Sequence, residues 1–564
     1  MSDQAKTAPA GPRILFTSPW GPYPKMAVEE DPVDYFYYRN TLKQGLFQLR
    51  IFQSWHCLHF MAQNLPVDST VLENPSPDDL KRELAHHDYQ VVALTFTQLL
   101  LGKVMEMARW LKKTHPEIEL VIGGYGTSLF TESFPLVDEL RGLCDHICDG
   151  EGLAFFREYL RDNWQVDVPL APFTQELLPA VNSLFRTRLP LFHQMVFVSG
   201  LGCIHGCSFC ATSHHFNKRH ISLFSGEDLF AAIVTQAQKY PKIQSAIIYD
   251  EDFLSKRDNV EALKAGMSRH PELRSRPLLF TVFASMNSVM RYSIEELLAS
   301  GIGTVYIGVE TLQDQILADE GLGKRKGNVE KLFRELHEHG INTLGSLIIG
   351  WDGQTPESAA DDARRFVALN PTFYQVVPLH PAPGTPLWDK LKREKRMLHD
   401  YRVESDGIGD FNFTLKNMGR DDATELVSHT YSGLVDEGGP WPFRLAENLL
   451  QGSLNLRTSD NPLYQERAAA YWKMLKFILP VALLSRFMFR GEPFRKRHKK
   501  FRQDLRRFSR GRYYLGMATG LAVWPWLLLL SWWGKLKYLM NPLGDQPDKI
   551  RRTYHRNSSP GAER

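Results

Sequence analysis

The chain has 564 residues, 43% apolar and 23% charged, the balance of a globular protein of several domains. That excludes a disordered chain, a collagen-like repeat and a polytopic membrane protein. The net charge of +3 hides a local run: residues 486–512 hold twelve Lys and Arg against Glu492 and Asp504, leaving the remainder acidic. Six cysteines are too few for a disulfide scaffold, and the clustering of Cys203, Cys207 and Cys210 points to metal in a reducing compartment. The N-terminal MSDQAKTAPAGPR has no apolar core of a secretory signal, so a cytoplasmic protein is expected.

Residues 13–18 (RILFTS) predict a short buried strand ending in a Pro-Gly turn at 19–24. VVALTFT (91–97) predicts a second strand, and Val104, Met105, Ala108 and Leu111 mark the apolar stripe of a helix at 102–114. A third strand at 119–122 is broken by Gly123 and Gly124, and 145–148 leads into Asp149-Gly150-Glu151-Gly152. Strands alternating with helices of this length imply a Rossmann-like, doubly wound parallel sheet over 1–165, with ligands at the carboxyl ends of the strands. Thr95–Thr97, Gly123–Gly126 and Gly150–Gly152 fall at those ends.

Residues 166–190 carry scattered prolines and no period, and are read as a linker. A second α/β unit over 191–390 predicts strands at 195–199, 245–249, 279–284, 304–309, 343–349 and 374–379, which suits a partial (β/α)6 barrel. Residues 391–564 lose the strand pattern and are expected to be helical. Within them 513–533 is uncharged and tryptophan-rich, about 31 Å long as a helix. With the basic run before it, this stretch is expected to meet an anionic membrane surface, as a span or an interfacial dip; a buried core helix is the alternative. No nucleic-acid module surrounds the cations, and nucleic acid is not an expected partner.

GLGCIHGCSFCATS places three thiols at C-x3-C-x2-C directly after a strand. A fully ligated [4Fe–4S] cluster takes four Cys, so three leave one iron open to a substrate or cofactor. A structural zinc site would want a fourth Cys or His, and His205, His214 and His215 lie nearby. With Phe209 before the third Cys and a (βα)6 pattern behind it, the segment resembles the radical S-adenosylmethionine (SAM) superfamily. The resemblance implies that Cys203, Cys207 and Cys210 ligate the cluster and that its open iron chelates SAM. One electron then cleaves the S–C5′ bond to a 5′-deoxyadenosyl radical, which abstracts hydrogen. It also implies backbone around Phe209 facing the adenine, Asp250 or Asp252 of IIYDEDF near the methionyl group, and Ser285 of FASMNS beside the cofactor. Glu310 of GVETLQ would take the ribose and Gly350 of GSLIIGWDGQT would line the adenine, with HPAPGTPL closing the last strand.

VVALTFTQ, VIGGYGTSLF and CDHICDGEGLAFF together resemble the cobalamin-binding domain fused ahead of many such enzymes. There Thr95 and Thr97 would contact the nucleotide tail, Gly123, Gly124 and Tyr125 would border the corrin or tail, and Glu151 with its glycine neighbours would close the site. No D-x-H-x-x-G motif is present: His56, His59, His86 and His87 lack its Asp and Gly, so cobalamin is expected without a histidine below the cobalt. The resemblance spans 13–390 and implies radical chemistry at an unactivated carbon, with an electron donor such as flavodoxin or ferredoxin. Methyl transfer to a hydrophobic small molecule (a lipid, polyprenoid or tetrapyrrole) is the first expectation, at or on the cytoplasmic face of a membrane. A radical oxidative cyclase is the alternative, and a non-catalytic zinc scaffold the alternative of another class. Cys144 and Cys148 are read as small buried apolar residues.

Overall fold

Short apolar runs rich in β-branched residues build two large sheets, and a two-stranded antiparallel ribbon stands beside them. The computed structural model describes residues 11–23, 39–170, 173–184, 189–320, 328–398, 411–540 and 546–555. Its early strands are β1 (Ile14–Thr17), β2 (Leu49–Phe52), β3 (Ser69–Glu73), β4 (Val91–Thr95), β5 (Glu119–Gly123) and β6 (His146–Cys148). The middle of the chain supplies β7 (Ala180–Leu184), β8 (Pro190–Val198), β9 (Gly200–Leu201), β10 (Ile221–Ser222), β11 (Ser245–Tyr249) and β12 (Leu279–Ser285). Then come β13 (Ile302–Glu310), β14 (Asn342–Ile349), β15 (Phe373–Pro378) and, near the end, β16 (Ile550–Tyr554). Helices α1 (His56–Asn64), α2 (Gly152–Trp164) and α3 (Ala211–His215) lie near strand ends. The C-terminal region is α4 (Arg420–Gly438), α5 (Trp441–Leu456), α6 (Pro462–Leu484), α7 (Glu492–Phe508) and α8 (Arg510–Met540).

The first sheet has the order β16-β3-β1-β4-β5-β6. β3, β1, β4, β5 and β6 run parallel, the doubly wound arrangement expected from the sequence. Successive residues of β1 serve opposite layers: Ile14 and Phe16 belong to the core that includes Phe156 and Leu160 of α2. Leu15 belongs to the one that includes Val104 and Leu111. The strip is buried on both faces, as a parallel sheet under two helix layers must be.

The second sheet has the order β15-β14-β13-β12-β11-β8-β7-β2. β8 and β11–β15 are the six parallel strands of the partial barrel. β7 lies inside the stretch read as a linker, and pairs antiparallel with both β8 and β2. The early segment around β2 therefore crosses to the barrel edge, with Leu49 opposite Leu184. Along β13 the residues facing the helices, Val305, Ile307 and Val309, are buried. Thr304, Tyr306, Gly308 and Glu310, on the other face, are only partly so. The barrel lumen is open rather than filled.

The C-terminal helices pack on the barrel through a fully buried cation. Arg444 of α5 is 1% exposed. Its Nε donates to Gly439 O at 2.9 Å, and its Nη atoms donate to Pro371 O and Leu434 O. Burial pushes its guanidinium down to about 10, and three carbonyls keep it solvated by the protein. The helical expectation for this region is met, with one addition. β16 pairs antiparallel with β3, where Arg551 Nε donates to Glu83 Oε2 at 2.7 Å and Tyr554 reaches His59 Nδ1 at 2.7 Å. Replacing Arg444 with Met is expected to cost about 3 kcal/mol by leaving those carbonyls unpaired. It should lower the thermal unfolding midpoint measured by circular dichroism; an unchanged midpoint would show that the cation is dispensable.

Candidate active site

The carboxyl ends of both parallel sheets meet at one cleft. Tyr125, just after β5, stands 5.0 Å from the His215 ring and 6.2 Å from the Phe216 ring, at the end of α3. Gln98 Nε2, after β4, meets His380 Nε2, after β15, at 3.2 Å. At the rim Glu132 accepts from Trp388 Nε1 at 2.7 Å and pairs with Lys392.

The cysteine loop joins β9 to α3 and is pinned from several sides. Ser213 Oγ donates to Cys203 O at 2.8 Å and accepts from Gly206 N at 3.1 Å. His214 Nε2 reaches Cys207 O at 3.1 Å, Leu387 N donates to Ser208 O at 3.0 Å, and Phe209 packs edge-on against Trp351 at 5.4 Å. All three thiols are free and partly exposed. Burial raises Cys203; burial, then neighbouring thiolate charge, pushes Cys207 up to about 12; burial pushes Cys210 up to about 11. Thiols crowded in this way gain most from a cationic centre that stabilises their thiolates. Three thiols on one short loop are one fewer than the four Cys that fully ligate a [4Fe–4S] cluster, which leaves one iron open. A [4Fe–4S] cluster fits this donor set.

Behind the loop two aspartates tie strand ends together. Asp250, 4% exposed, accepts from Ser199 Oγ at 3.1 Å and meets His220 Nε2 at 2.9 Å, which ties the residues before β9 and β10 to the end of β11. Asp252 meets His205 Nε2 at 2.7 Å and accepts from Ser285 N at 3.1 Å and Ser288 Oγ at 2.9 Å. Burial opposes its charge, but these hydrogen bonds together hold it below the usual carboxylate range. Asp252 thus fastens the cysteine loop to the end of β12, where Ser285 caps a short helical turn. Between the two aspartates Glu251 is raised to about 7 by desolvation first and then by the Asp250 charge, and its own charge raises Cys203, Cys210 and Tyr125. No motif singled it out; its place between two aspartates at a strand end was the available signal.

Glu310 ends β13 at φ +60°, where the β13–β14 register shifts. Left-handed backbone at a glutamate is strained, and such strain concentrates at functional sites. Its carboxylate folds back over Gly308, where an added Cβ would meet Glu310 Oε1 at 2.4 Å. Gly350 N donates to Gln354 Oε1 at 2.8 Å, placing the β14 end beside buried Trp351.

On the opposite edge Gly124 adopts φ +91°, and a Cβ there would meet Thr95 Oγ1 at 2.5 Å and Phe96 O at 2.8 Å. Gly123 N-terminal to it continues β5, and Thr97 Oγ1 is buried with no partner. Glu151 caps α2, accepting from Leu153 N at 2.7 Å and Ala154 N at 2.6 Å, so it shapes the closing turn. Cys57, which matched no motif, opens to the same edge with Sγ 3.9 Å from Thr95 Oγ1; burial pushes it up to about 11. Of the histidines, His59 is held between Tyr554 Oη and Glu73 Oε1, both at 2.7 Å. His56 has two buried, unpartnered ring nitrogens beside Tyr249, and burial pushes it down to about 3, so it is neutral.

Inside the lumen Tyr249, Phe283 and Tyr306 form a ladder across β11, β12 and β13. Their centroids are 5.6 and 4.9 Å apart, with interplanar angles of 33° and 26°. Gln53 accepts from Tyr249 Oη at 2.9 Å and Gln375 from Tyr306 Oη at 2.7 Å, so the phenols are satisfied and the rings pack on one another as an apolar wall.

Residues 197–366 match the family model of the Radical SAM superfamily. The chain is 26% identical over 344 residues to the bacteriochlorophyllide d C-12(1)-methyltransferase of Chlorobaculum tepidum, covering 58% of this chain and 71% of that protein. It is 26% identical over 212 residues to the hopanoid C-2 methylase of Rhodopseudomonas palustris, covering 36% of this chain and 39% of that one. Among solved structures, the radical SAM methyltransferase TsrM of Kitasatospora setae, solved with cobalamin and a [4Fe–4S] cluster bound, is similar in fold. The TM-score is 0.52 at 15% identity, covering 84% of this chain and all of that one. The chain carries a radical SAM domain and is a radical SAM enzyme, whose cofactors include a [4Fe–4S] cluster and SAM. The zinc-scaffold alternative gives way to an enzyme.

Two substitutions separate the roles of the cleft. Cys207→Ala should remove the visible absorbance of the reduced-iron preparation and stop SAM cleavage. Gly308→Ala should keep the iron and weaken SAM binding at least about tenfold, because it displaces the Glu310 carboxylate, a loss of about 1.4 kcal/mol. SAM affinity unchanged in Gly308→Ala by equilibrium dialysis would remove Glu310 from the site.

Proposed function

We propose that the protein is a cobalamin-dependent radical SAM methyltransferase acting on a hydrophobic small molecule at the cytoplasmic face of a membrane. The observation that carries this reading is the shared cleft, with Tyr125 of the first sheet 5.0 Å from His215 of the cysteine-loop helix. Two cofactor edges facing one another suit a reaction in which a carbon radical and a methyl donor must meet. Both named relatives above are methyltransferases, and one acts on a tetrapyrrole, the other on a hopanoid, by their names.

The first edge fits cobalamin in two ways. The orphaned Thr97 hydroxyl offers a buried hydrogen bond to a polar tail, and Gly124, at φ +91° with no room for a Cβ beside Thr95 and Phe96, shapes the tight turn that carries Tyr125 toward the cleft. His59 is already engaged on both ring nitrogens and the neutral His56 turns toward the barrel, so this chain offers no histidine from D-x-H-x-x-G below the cobalt. Bound together, the cluster, SAM and cobalamin supply an electron, a hydrogen-abstracting radical and a methyl group. The chain's own part is placement. The cysteine loop, Glu310 and the β14 end would hold SAM above the lumen, and Thr95, Thr97 and the Gly123–Tyr125 turn would hold cobalamin opposite. The Tyr249–Phe283–Tyr306 ladder would line the space between them with an apolar aromatic wall suited to a flat or aliphatic substrate. A reduced flavodoxin or ferredoxin would deliver the electron.

Purification with hydroxocobalamin should give a stoichiometric complex, and Thr97→Val, which removes the orphaned hydroxyl at nearly constant volume, should weaken cobalamin retention while keeping iron content and circular dichroism. A strain lacking the gene should accumulate a lipid or pigment lighter by one CH2, restored by the wild-type chain. A product that gains a ring without gaining carbon would support the cyclase instead, and failure to retain cobalamin would end the methyl-transfer reading.

A further inference from the structure

Among the described residues two helices are long and apolar enough to cross a membrane, but they are built differently. The apolar window of the helix containing α6 is 50% buried, whereas that of α8 is 11% buried. α6 is a core helix. α8 touches it along a narrow stripe, where an added Cβ on Gly516 would meet Leu479 at 3.0 Å and one on Gly520 would meet Leu484 at 2.9 Å. The rest of α8 faces outward: of 20 large apolar side chains exposed among the described residues, 11 are on this helix, including Trp526, Leu529, Trp532 and Trp533. Soluble surfaces rarely carry so contiguous an apolar patch.

Beside it α7 turns Phe494, His498, Phe501 and Leu505 inward, leaving its basic face to solvent, with Arg495, Lys496, Lys499 and Lys500 exposed. An apolar helix next to a cationic one matches an anionic lipid surface, headgroups against α7 and acyl chains against α8. The four tryptophans near and beyond Pro525 are the residues that favour the headgroup boundary.

Both ends of α8 are fastened to the same body. At its start the Arg512 guanidinium lies 3.8 Å from the Trp472 ring centre on α6. Past its end, Tyr23 N donates to Gln546 Oε1 at 2.6 Å and Lys549 pairs with Asp79 at 2.9 Å. β16 then pairs with β3 from Ile550 to Tyr554. Only six residues lead from Met540 to Gln546, a reach of about 20 Å at most. A helix that crossed the roughly 30 Å hydrocarbon core would leave this strand on the far side, away from its sheet. We infer that α8 is a monotopic element that sinks into the cytoplasmic leaflet with both flanks on the cytoplasmic side, β16 being its second tether. The inference rests on the membrane reading above and fixes its topology.

The test uses the full chain with a site-specific protease site at each terminus, expressed in a bacterial host with anionic membranes. The chain should be found in the membrane fraction. Both sites should be cut in inverted inner-membrane vesicles, and neither in intact spheroplasts. Cutting of the C-terminal site in spheroplasts would overturn the monotopic topology while leaving the membrane reading standing. Recovery of the chain in the soluble fraction, with no binding to vesicles of phosphatidylcholine and phosphatidylglycerol, would overturn both.

Discussion

Parallel strands bring the residues of the candidate site to one place. In each sheet the strands run the same way, so their connecting loops gather at the carboxyl edge. Here the two edges are turned toward each other and locked by Gln98–His380 and by Glu132 with Trp388 and Lys392. The cysteine loop, Glu251 and Glu310 on one side, and Thr97, Gly124, Tyr125 and Cys57 on the other, share a cleft because the sheets do. Neither half would assemble the site alone.

The electrostatics of the cleft follow from its depth. Burial raises the Cys203, Cys207 and Cys210 thiols, the Cys57 thiol and the Glu251 carboxyl together. Such an environment favours neutral or metal-bound groups and a low local dielectric. Asp252 is the exception, kept anionic by His205, Ser285 and Ser288. Its role is to hold the cysteine loop against β12. The lumen below is walled by the stacked rings of Tyr249, Phe283 and Tyr306, in keeping with the hydrophobic substrate proposed.

Local patterns were legible in the sequence, long-range pairings were not. The cysteine spacing, six barrel strands and the doubly wound sheet all write themselves in contiguous residues: apolar runs, glycine turns and helix-length gaps. β2 and β7 are short and mixed in polarity (LRIF and AVNSL), and they become strands only by pairing across the chain. β16, IRRTY, has the composition of a solvated tail and is a strand because β3 leaves an edge for it. Among site residues, Asp250 and Asp252 carry the motif's position, and only the fold shows that they bond Ser199, His220, His205 and Ser288 while Glu251 between them couples electrostatically to the cysteine loop. Cys57 and His56 enter the site only because α1 begins at the cleft, which no spacing in the sequence encodes.

The most direct measurement is the electron paramagnetic resonance of the anaerobic protein carrying both a reduced cluster and cob(II)alamin. With the two strand edges facing one cleft, the two signals should broaden each other through dipolar coupling, and the broadening should vanish in Cys207→Ala. Two full-strength signals, each the same whether or not the other centre is present, would contradict a shared site.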